Sequence, residues 1–353
     1  MKDRWKILVI NPGSTSTKMA VYEGEHMLCS ETISHPSEIL SHFSCVWNQY
    51  FYRSGLCQQW AQKNGDGYAA VAAVGGLLRP VQGGVYRVNQ AMLSDARANV
   101  QGEHVSNLGC ALAYELGSFY NVPAFVIDPV SVDEFEPLAY YSGHPCIKRR
   151  SLSHALNIHA AARRAAEESC IPLSESNFII AHLGGGISIA PVSGGKIIDV
   201  NDAASDGPFS PERTGGLPLQ QFIDLCTSGK YSTPELRQMV MGKGGLVAYL
   251  GTNSVEEVER RIASGEVTAR KVLNAMAYQI AKEIGAMATV LSGRIDAIVL
   301  TGGAAHSKTL VPLIERRVNF IAPTMVYPGE DERQSLAEGA LRVLRGQEQA
   351  KEY

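Results

Sequence analysis

Two turns in this 353-residue chain, about half a length apart, carry the residue types that hold a chain of phosphates. In the first, Lys6-Ile7-Leu8-Val9-Ile10 runs into Asn11-Pro12-Gly13-Ser14-Thr15-Ser16-Thr17-Lys18 and leaves through Met19-Ala20-Val21-Tyr22. In the second, Phe178-Ile179-Ile180-Ala181-His182 runs into Leu183-Gly184-Gly185-Gly186 and leaves through Ile187-Ser188-Ile189-Ala190. A buried strand opening into a tight Gly/Ser/Thr turn gathers backbone N–H groups and hydroxyls around one small volume, as phosphate oxygens require. A third apolar strand, Ala297–Leu300, opens into Thr301-Gly302-Gly303. Glycines also close ordinary hairpins, so one such turn carries little weight. Three in one chain point to a nucleotide. Neither GxxxxGK[ST] nor a GxGxxG after a strand is present, which excludes the commoner phosphate motifs.

Charged and titratable residues stand near these turns. Arg79 follows Gly75-Gly76 at the end of a short buried strand, and Arg213 sits in the loop Asp206-Gly207-Pro208-Phe209-Ser210-Pro211-Glu212-Arg213-Thr214-Gly215-Gly216. A solvated or ion-paired arginine is the ordinary reading of each. Asp128 directly follows the strand Pro123–Ile127, and Asp before Pro also starts turns. His154 opens a helix, where capping or packing histidines are common. His159 lies five residues on, about 140° around a helix, so the two do not form an i,i+4 zinc pair. Glu330-Asp331-Glu332 precede the last helix, where acids complement the helix dipole.

The elements that must position these groups alternate between strand and helix, which predicts α/β layers. The first half reads as strand, turn, strand, then a strand near 27–33. A long amphipathic helix is expected from about Ser37 to Lys63, then a strand at Tyr68–Val74, helices near 90–99 and 105–118, and the strand Pro123–Ile127. The second half repeats the opening pattern with strands near 178–182, 187–191 and 196–200. A helix at about 267–291 shows Val272, Leu273, Met276, Ile280, Ile284, Met287 and Leu291 on one face. The reading gives two domains, 1–150 and 151–330, with a final helix from about 331 expected to pack back onto the first.

Composition narrows the class. A net charge of −3 provides no basic footprint for nucleic acid or anionic membrane. No apolar run reaches the roughly 18 residues of a membrane span, and the charged N-terminus lacks a signal-type apolar stretch. Seven cysteines, with no CxxC pair, argue against a disulfide framework or a zinc knuckle and suit a reducing cytoplasm.

The three turns, in this order and over essentially the whole length, resemble the phosphate-1, phosphate-2 and adenosine loops of the acetokinase family, within the actin, Hsp70 and sugar-kinase superfamily. The opening turn, the second turn and the segment 206–216 are more similar to its butyrate-kinase branch than to acetate kinases. The resemblance implies duplicated ribonuclease H-like α/β domains with the active site in the cleft between them. It implies ATP/ADP and Mg2+, no nucleic-acid or membrane partner, a homo-oligomer, and reversible direct in-line transfer from ATP to butanoate, giving butanoyl phosphate and ADP. Branched acids such as isobutyrate would follow. Catalytic roles fall to Arg79 and Arg213 around the acyl carboxylate and transferred phosphoryl group, Asp128 near metal and phosphoryl group, and His154 in the transition state. Nucleotide contacts fall to Asn11, Ser14, Ser16, Lys18, His182, Gly184, Gly185, Gly186, Thr301, Gly302 and Gly303. Magnesium falls to Asn11 and Glu332, with Glu330 the alternative acid.

Two departures from acetate kinases bear on the substrate. Gly185 stands where they carry Asn, and Ser153-His154-Ala155-Leu156-Asn157 replaces Phe-His-Gly-Thr-Ser-His. The second turn must then work through backbone N–H groups alone. An acetate or propionate kinase, or an actin-like or Hsp70-like ATPase switch without an acyl acceptor, are the alternatives.

Overall fold

The computed structural model describes residues 4–329 and 331–353. It divides into two compact units, Met1–Asp133 with Asp331–Tyr353, and Glu134–Glu330. The boundary thus falls at 133/134 rather than at 150, because residues 134–150 are bonded into the second unit. The Glu134 carboxylate accepts from Ile197 N at 2.8 Å, Glu136 N donates to Ile198 O at 3.0 Å, and Arg149 reaches Asp199 at 2.8 Å and Val200 O at 3.0 Å.

The first unit is built on β1 (Lys6–Pro12), β2 (Ser16–Glu23), β3 (His26–Ser34), β4 (Tyr68–Val74), β5 (Val85–Arg87) and β6 (Ala124–Ile127). With the short strand Lys351–Glu352 they form a sheet in the order Lys351–Glu352, β5, β6, β4, β1, β2, β3. β1 is antiparallel to β2 and parallel to β4, which is parallel to β6. Ile7, Leu8, Val9 and Ile10 are fully buried. Each large apolar side chain removed from water contributes about 1.5–3 kcal/mol. Helices Tyr50–Asn64 and Asn107–Tyr120 pack on this sheet, and the terminal helix Glu332–Leu344 packs against β1, β4 and β6.

The second unit repeats the scheme with β7 (Asn177–Leu183), β8 (Ile187–Ser193), β9 (Lys196–Ile197), β10 (Ala297–Gly302) and β11 (Thr324–Pro328), in the order β11, β10, β7, β8, β9. Its first strand is again antiparallel to its second and parallel to a later one, β10, which is parallel to β11. The helix Val267–Val290 buries the apolar face read from its periodicity, including Leu273, Met276, Ile280 and Ile284, all at 0% exposure. Among the described residues no helix is long and apolar enough to cross a membrane, and all seven cysteines are free thiols.

Two expected elements differ. The helix expected from Ser37 to Lys63 is broken into Ser37–Leu40, a 3-10 turn Val46–Gln49, and Tyr50–Asn64. Ser41 donates to Glu38 O at 2.7 Å and Asn48 donates to Ser44 Oγ at 2.9 Å, so short polar side chains compete with helix propagation. The strand expected at 196–200 stops at Ile197 because the next backbone groups find other partners. Arg149 takes Val200 O, and Ile198 N donates to Pro191 O.

Gly109, in the helix Asn107–Tyr120, allows the closest helix-to-strand approach at the end of β4. A Cβ there would lie 2.2 Å from Val74 O. Gly109→Ala is expected to destabilise the protein by about 1–3 kcal/mol through overpacking, measured by urea unfolding. An unchanged midpoint would show that the helix moves away at no cost.

Candidate active site

In the first unit the register Asn11↔Lys18 and Pro12↔Thr17 closes the first turn at 13–16, and Gly13 N donates to Ser16 O at 2.7 Å. Ser14, Thr15 and Lys18 are exposed at its tip, Ser16 is half-buried, and Asn11 and Thr17 are buried. Among the described residues no protein acceptor is bonded to the N–H groups of Ser14 and Thr15. The carbonyls have partners. Arg53, absent from the sequence-based set, donates to Gly13 O at 2.9 Å, Ser14 O at 3.0 Å and Ser16 O at 3.1 Å. Thr17 Oγ1 bonds His35 Nε2 at 2.8 Å, and burial together with Arg53 pushes the His35 ring down to about 4.

Asn11 donates its side-chain amide to the Glu332 carboxylate. Glu332 opens the helix Glu332–Leu344, whose N-cap Asp331 accepts from Gln334 N at 3.1 Å. Glu330 lies outside the described residues. No group of three or more His, Cys, Asp and Glu side chains among the described residues could hold a metal alone. Magnesium needs only one or two carboxylates when nucleotide phosphates and waters complete its shell. Asn11 and Glu332 therefore fit an ion that arrives with a nucleotide.

Asp128 follows β6 at 1% exposure, in the left-handed region at φ +39°. That conformation is costly for a residue other than glycine. Its Oδ1 accepts from Gly84 N at 2.7 Å and its N–H donates to Gly84 O at 3.0 Å, so it fastens the Gly83-Gly84 loop. Arg79 lies apart from the turn. Its guanidinium pairs with Asp95, lies 5.0 Å over the Tyr353 ring, and keeps 59% of its side chain exposed. Asp95 and Tyr353 hold the guanidinium from one side and leave the rest of it open.

In the second unit strand register does most of the work. His182 on β7 stands opposite Ser188 on β8 and Thr301 on β10, which puts three polar side chains in one row at the strand ends. Ser188 Oγ bonds His154 Nδ1 at 2.9 Å, and the His154 ring stacks on His182 with centroids 3.9 Å apart and planes 18° from parallel. Asn157 Oδ1, which can only accept, holds His182 Nδ1 at 2.8 Å and so fixes the proton there. Burial and the Arg213 guanidinium push His154 down to about 4, and burial, His154 and Arg213 hold His182 well below the usual imidazole range. Both rings are neutral at physiological pH.

Arg213 lies against the second turn. A Cβ on Gly186 would stand 2.3 Å from its Nη1, so only glycine leaves room for the guanidinium. Arg213 Nη1 donates to Ala203 O at 3.1 Å, and burial draws the group below the usual arginine value. Gly184 N donates to Gly186 O at 3.1 Å, while the Gly185 carbonyl accepts from Ser210 Oγ at 2.5 Å and Glu212 N at 3.4 Å. The N–H groups of Gly185 and Gly186 have no protein acceptor among the described residues. Thr301 Oγ1 donates to Gly329 O at 3.2 Å, and Gly302, at φ +88°, packs against Leu183 O where a Cβ would lie 2.6 Å away. Gly303 is exposed at the start of a 3-10 turn.

The structure thus gathers His154, His182, Gly184, Gly185, Gly186 and Arg213 in one unit, with Thr301 in the row beside them. It gathers Asn11, Ser14, Ser16, Lys18 and Glu332 in the other. The signal for Arg53 was weak, one of two cations inside the expected helix Ser37–Lys63.

The buried stack has a pH signature. Unfolded imidazoles take up a proton near pH 6.5, whereas folded His154 does so only at about 4, and burial, His154 and Arg213 hold His182 well below the usual imidazole range. Their contribution to stability is complete above pH 6.5 and is lost as pH falls toward 4, on the order of a few kcal/mol. Ring-carbon NMR shifts of both residues are expected to keep neutral values down to pH 5. Titration of both near 6.5 would contradict the stack.

Comparison with known proteins gives these groups a family. The Acetokinase family profile matches residues 137–321. The chain is 50% identical over 352 residues to a probable butyrate kinase 2 of Caldanaerobacter subterraneus subsp. tengcongensis, and 48% identical over 354 residues to butyrate kinase 2 of Clostridium acetobutylicum. Each alignment covers 99% of both chains. The crystal structure of Porphyromonas gingivalis acetate kinase superposes with a TM-score of 0.79 at 18% identity, covering 96% of this chain and 100% of that one. A Francisella tularensis propionate kinase follows at 0.72 and 17%, covering 95% and 98%. These two structures establish the fold, an α/β architecture of the actin, Hsp70 and sugar-kinase type. The full-length relatives and the family profile together establish that the chain belongs to the acetokinase family.

Proposed function

We propose that this protein transfers the terminal phosphoryl group of ATP to a short aliphatic carboxylate, with butyrate the leading acid, and runs the reverse reaction from acyl phosphate and ADP. The observation that carries the chemistry is the Arg213 guanidinium packed over Gly186 beside two neutral imidazoles and the bare N–H groups of Gly185 and Gly186. The identity to proteins named butyrate kinase selects the acid.

A carboxylate with a pKa near 4 to 5 is already ionised at neutral pH, so no general base is needed. The task is to bring two anions together and to spread the charge that develops on the transferred group. Arg213 supplies a permanent charge with forked donors. His154, held through Nδ1 by Ser188, keeps Nε2 without a protein partner among the described residues and bonds the phosphoryl group as an uncharged ring. Ser14, Ser16, Lys18 and the free N–H groups of the first turn hold phosphate oxygens, and Thr301, Gly302 and Gly303 seat the adenosine. Asn11 and Glu332 would hold magnesium, whose charge offsets that of the phosphates. Asp128 keeps the Gly83-Gly84 loop closed, and the family resemblance gives its carboxylate a role toward the metal and the phosphoryl group. A methylene in an apolar pocket is worth only about 1 to 3 kcal/mol, so propionate, isobutyrate and isovalerate should overlap with butyrate.

Hydroxylamine trapping with ATP and a series from acetate to isovalerate should give acid-dependent hydroxamate, fastest with butyrate or a branched neighbour. ADP release without hydroxamate would replace this reading by an ATPase switch, and a maximum at acetate would replace the acid. The two arginines should separate in kinetics. Arg213→Ala is expected to lower kcat by about 10²- to 10³-fold, the usual loss for one transition-state donor. Arg79→Ala is expected to leave the KM for the acid unchanged and to lower the unfolding midpoint slightly, as its ties to Asp95 and Tyr353 require. A raised KM would instead return Arg79 to the acyl group.

A further inference from the structure

Arg53 is fully buried, yet no carboxylate lies within ion-pair distance of it among the described residues. Its Nε is held by Gln49 Oε1 at 3.0 Å. Nη1 donates to Gly13 O, Ser16 O and, at 3.2 Å, Thr17 Oγ1, while Nη2 donates to Ser14 O. A buried, uncompensated charge is expensive. Three carbonyl dipoles from one four-residue turn meet that cost here.

The geometry has a consequence for the turn. Backbone carbonyls of a tight Gly/Ser turn, left to themselves, compete with the N–H groups for the same surface and repel phosphate. With Gly13, Ser14 and Ser16 bonded to one rigid fork, the carbonyls point toward the guanidinium, and the amides of Ser14 and Thr15 are left for a ligand. The second anchor is Thr17, whose Oγ1 touches both Arg53 and the uncharged His35 ring, with His35 N donating to Thr15 O at 2.8 Å. Lysine could not reproduce this, being a point charge without a planar fork.

We propose that Arg53 is the positioning residue of the first phosphate turn: it never touches substrate, but holds the turn's carbonyls so that its N–H groups and hydroxyls receive the phosphate chain. This inference rests on the nucleotide reading above, and predicts a phosphate-specific defect. In Arg53→Met, calorimetric affinity for ATP should fall by about tenfold or more, roughly 1.4 kcal/mol or more, while affinity for AMP changes little. The KM for ATP should rise more than the KM for the acid. Arg53→Lys should recover only part of the loss. Equal weakening of ATP and AMP, or unchanged ATP affinity in folded Arg53→Met, would reduce Arg53 to a fold-stabilising residue and overturn the proposal. Should Arg53→Met fail to fold, Gln49→Met decides. It removes only the acceptor of Nε, and should weaken ATP about threefold at unchanged AMP affinity, well under 1.4 kcal/mol; an unaltered ATP affinity overturns the proposal. Wild-type protein that binds ATP but yields no acid-dependent hydroxamate would sink the carboxylate reading and leave the role of Arg53 standing.

Discussion

A peptide turn can receive a phosphate only if its carbonyls are satisfied elsewhere. Every non-proline residue brings one donor and one acceptor, and a turn that shows an anion both gains nothing. Both turns of this protein engage carbonyls from within the protein, by different means. Arg53 takes three carbonyls of the first turn from within the protein. In the second, Ser210 and Glu212 take the carbonyl of Gly185, and Gly184 N takes that of Gly186. What remains at each tip is a pair of N–H groups with no protein acceptor among the described residues.

The duplicated strand order makes the arrangement possible. In each unit the leading strand is buried between an antiparallel hairpin partner and a parallel neighbour, so its C-terminal end, where the turn begins, is set by the sheet. The units then diverge. The first keeps hydroxyls, Lys18 and a metal-competent pair in Asn11 and Glu332. The second uses glycines, and the volume a side chain would have filled at Gly186 is taken by Arg213. Burial beside that permanent charge is also what keeps His154 and His182 neutral, so that they act as oriented dipoles and not as further cations.

Much of this was legible in the sequence for physical reasons. Short apolar runs such as Ile7–Ile10 and Phe178–Ala181, rich in β-branched residues and closed by turn signals, read as buried strands, and the Gly/Ser/Thr turns after them advertise their chemistry. The helical face from Val272 to Leu291 was legible from its period. What escaped depends on single long-range bonds. Arg53 looks like any cation in a polar helix until the fold brings it 2.9 Å from Gly13 O. Arg79 looks free until Asp95 and Tyr353, distant in sequence, close on it. The domain boundary moved to 133/134 because Glu134, Glu136 and Arg149 bond to residues 197–200, a choice that no local composition encodes.

If the proposed function holds, the N–H groups of Ser14 and Thr15 in one unit and of Gly185 and Gly186 in the other receive phosphate oxygens. Backbone amide NMR shifts during titration with ATP, against AMP as reference, test it most directly. Large changes are expected at Ser14, Thr15, Gly185 and Gly186 with ATP and small ones with AMP. Saturating ATP that leaves these four amides unmoved would contradict it.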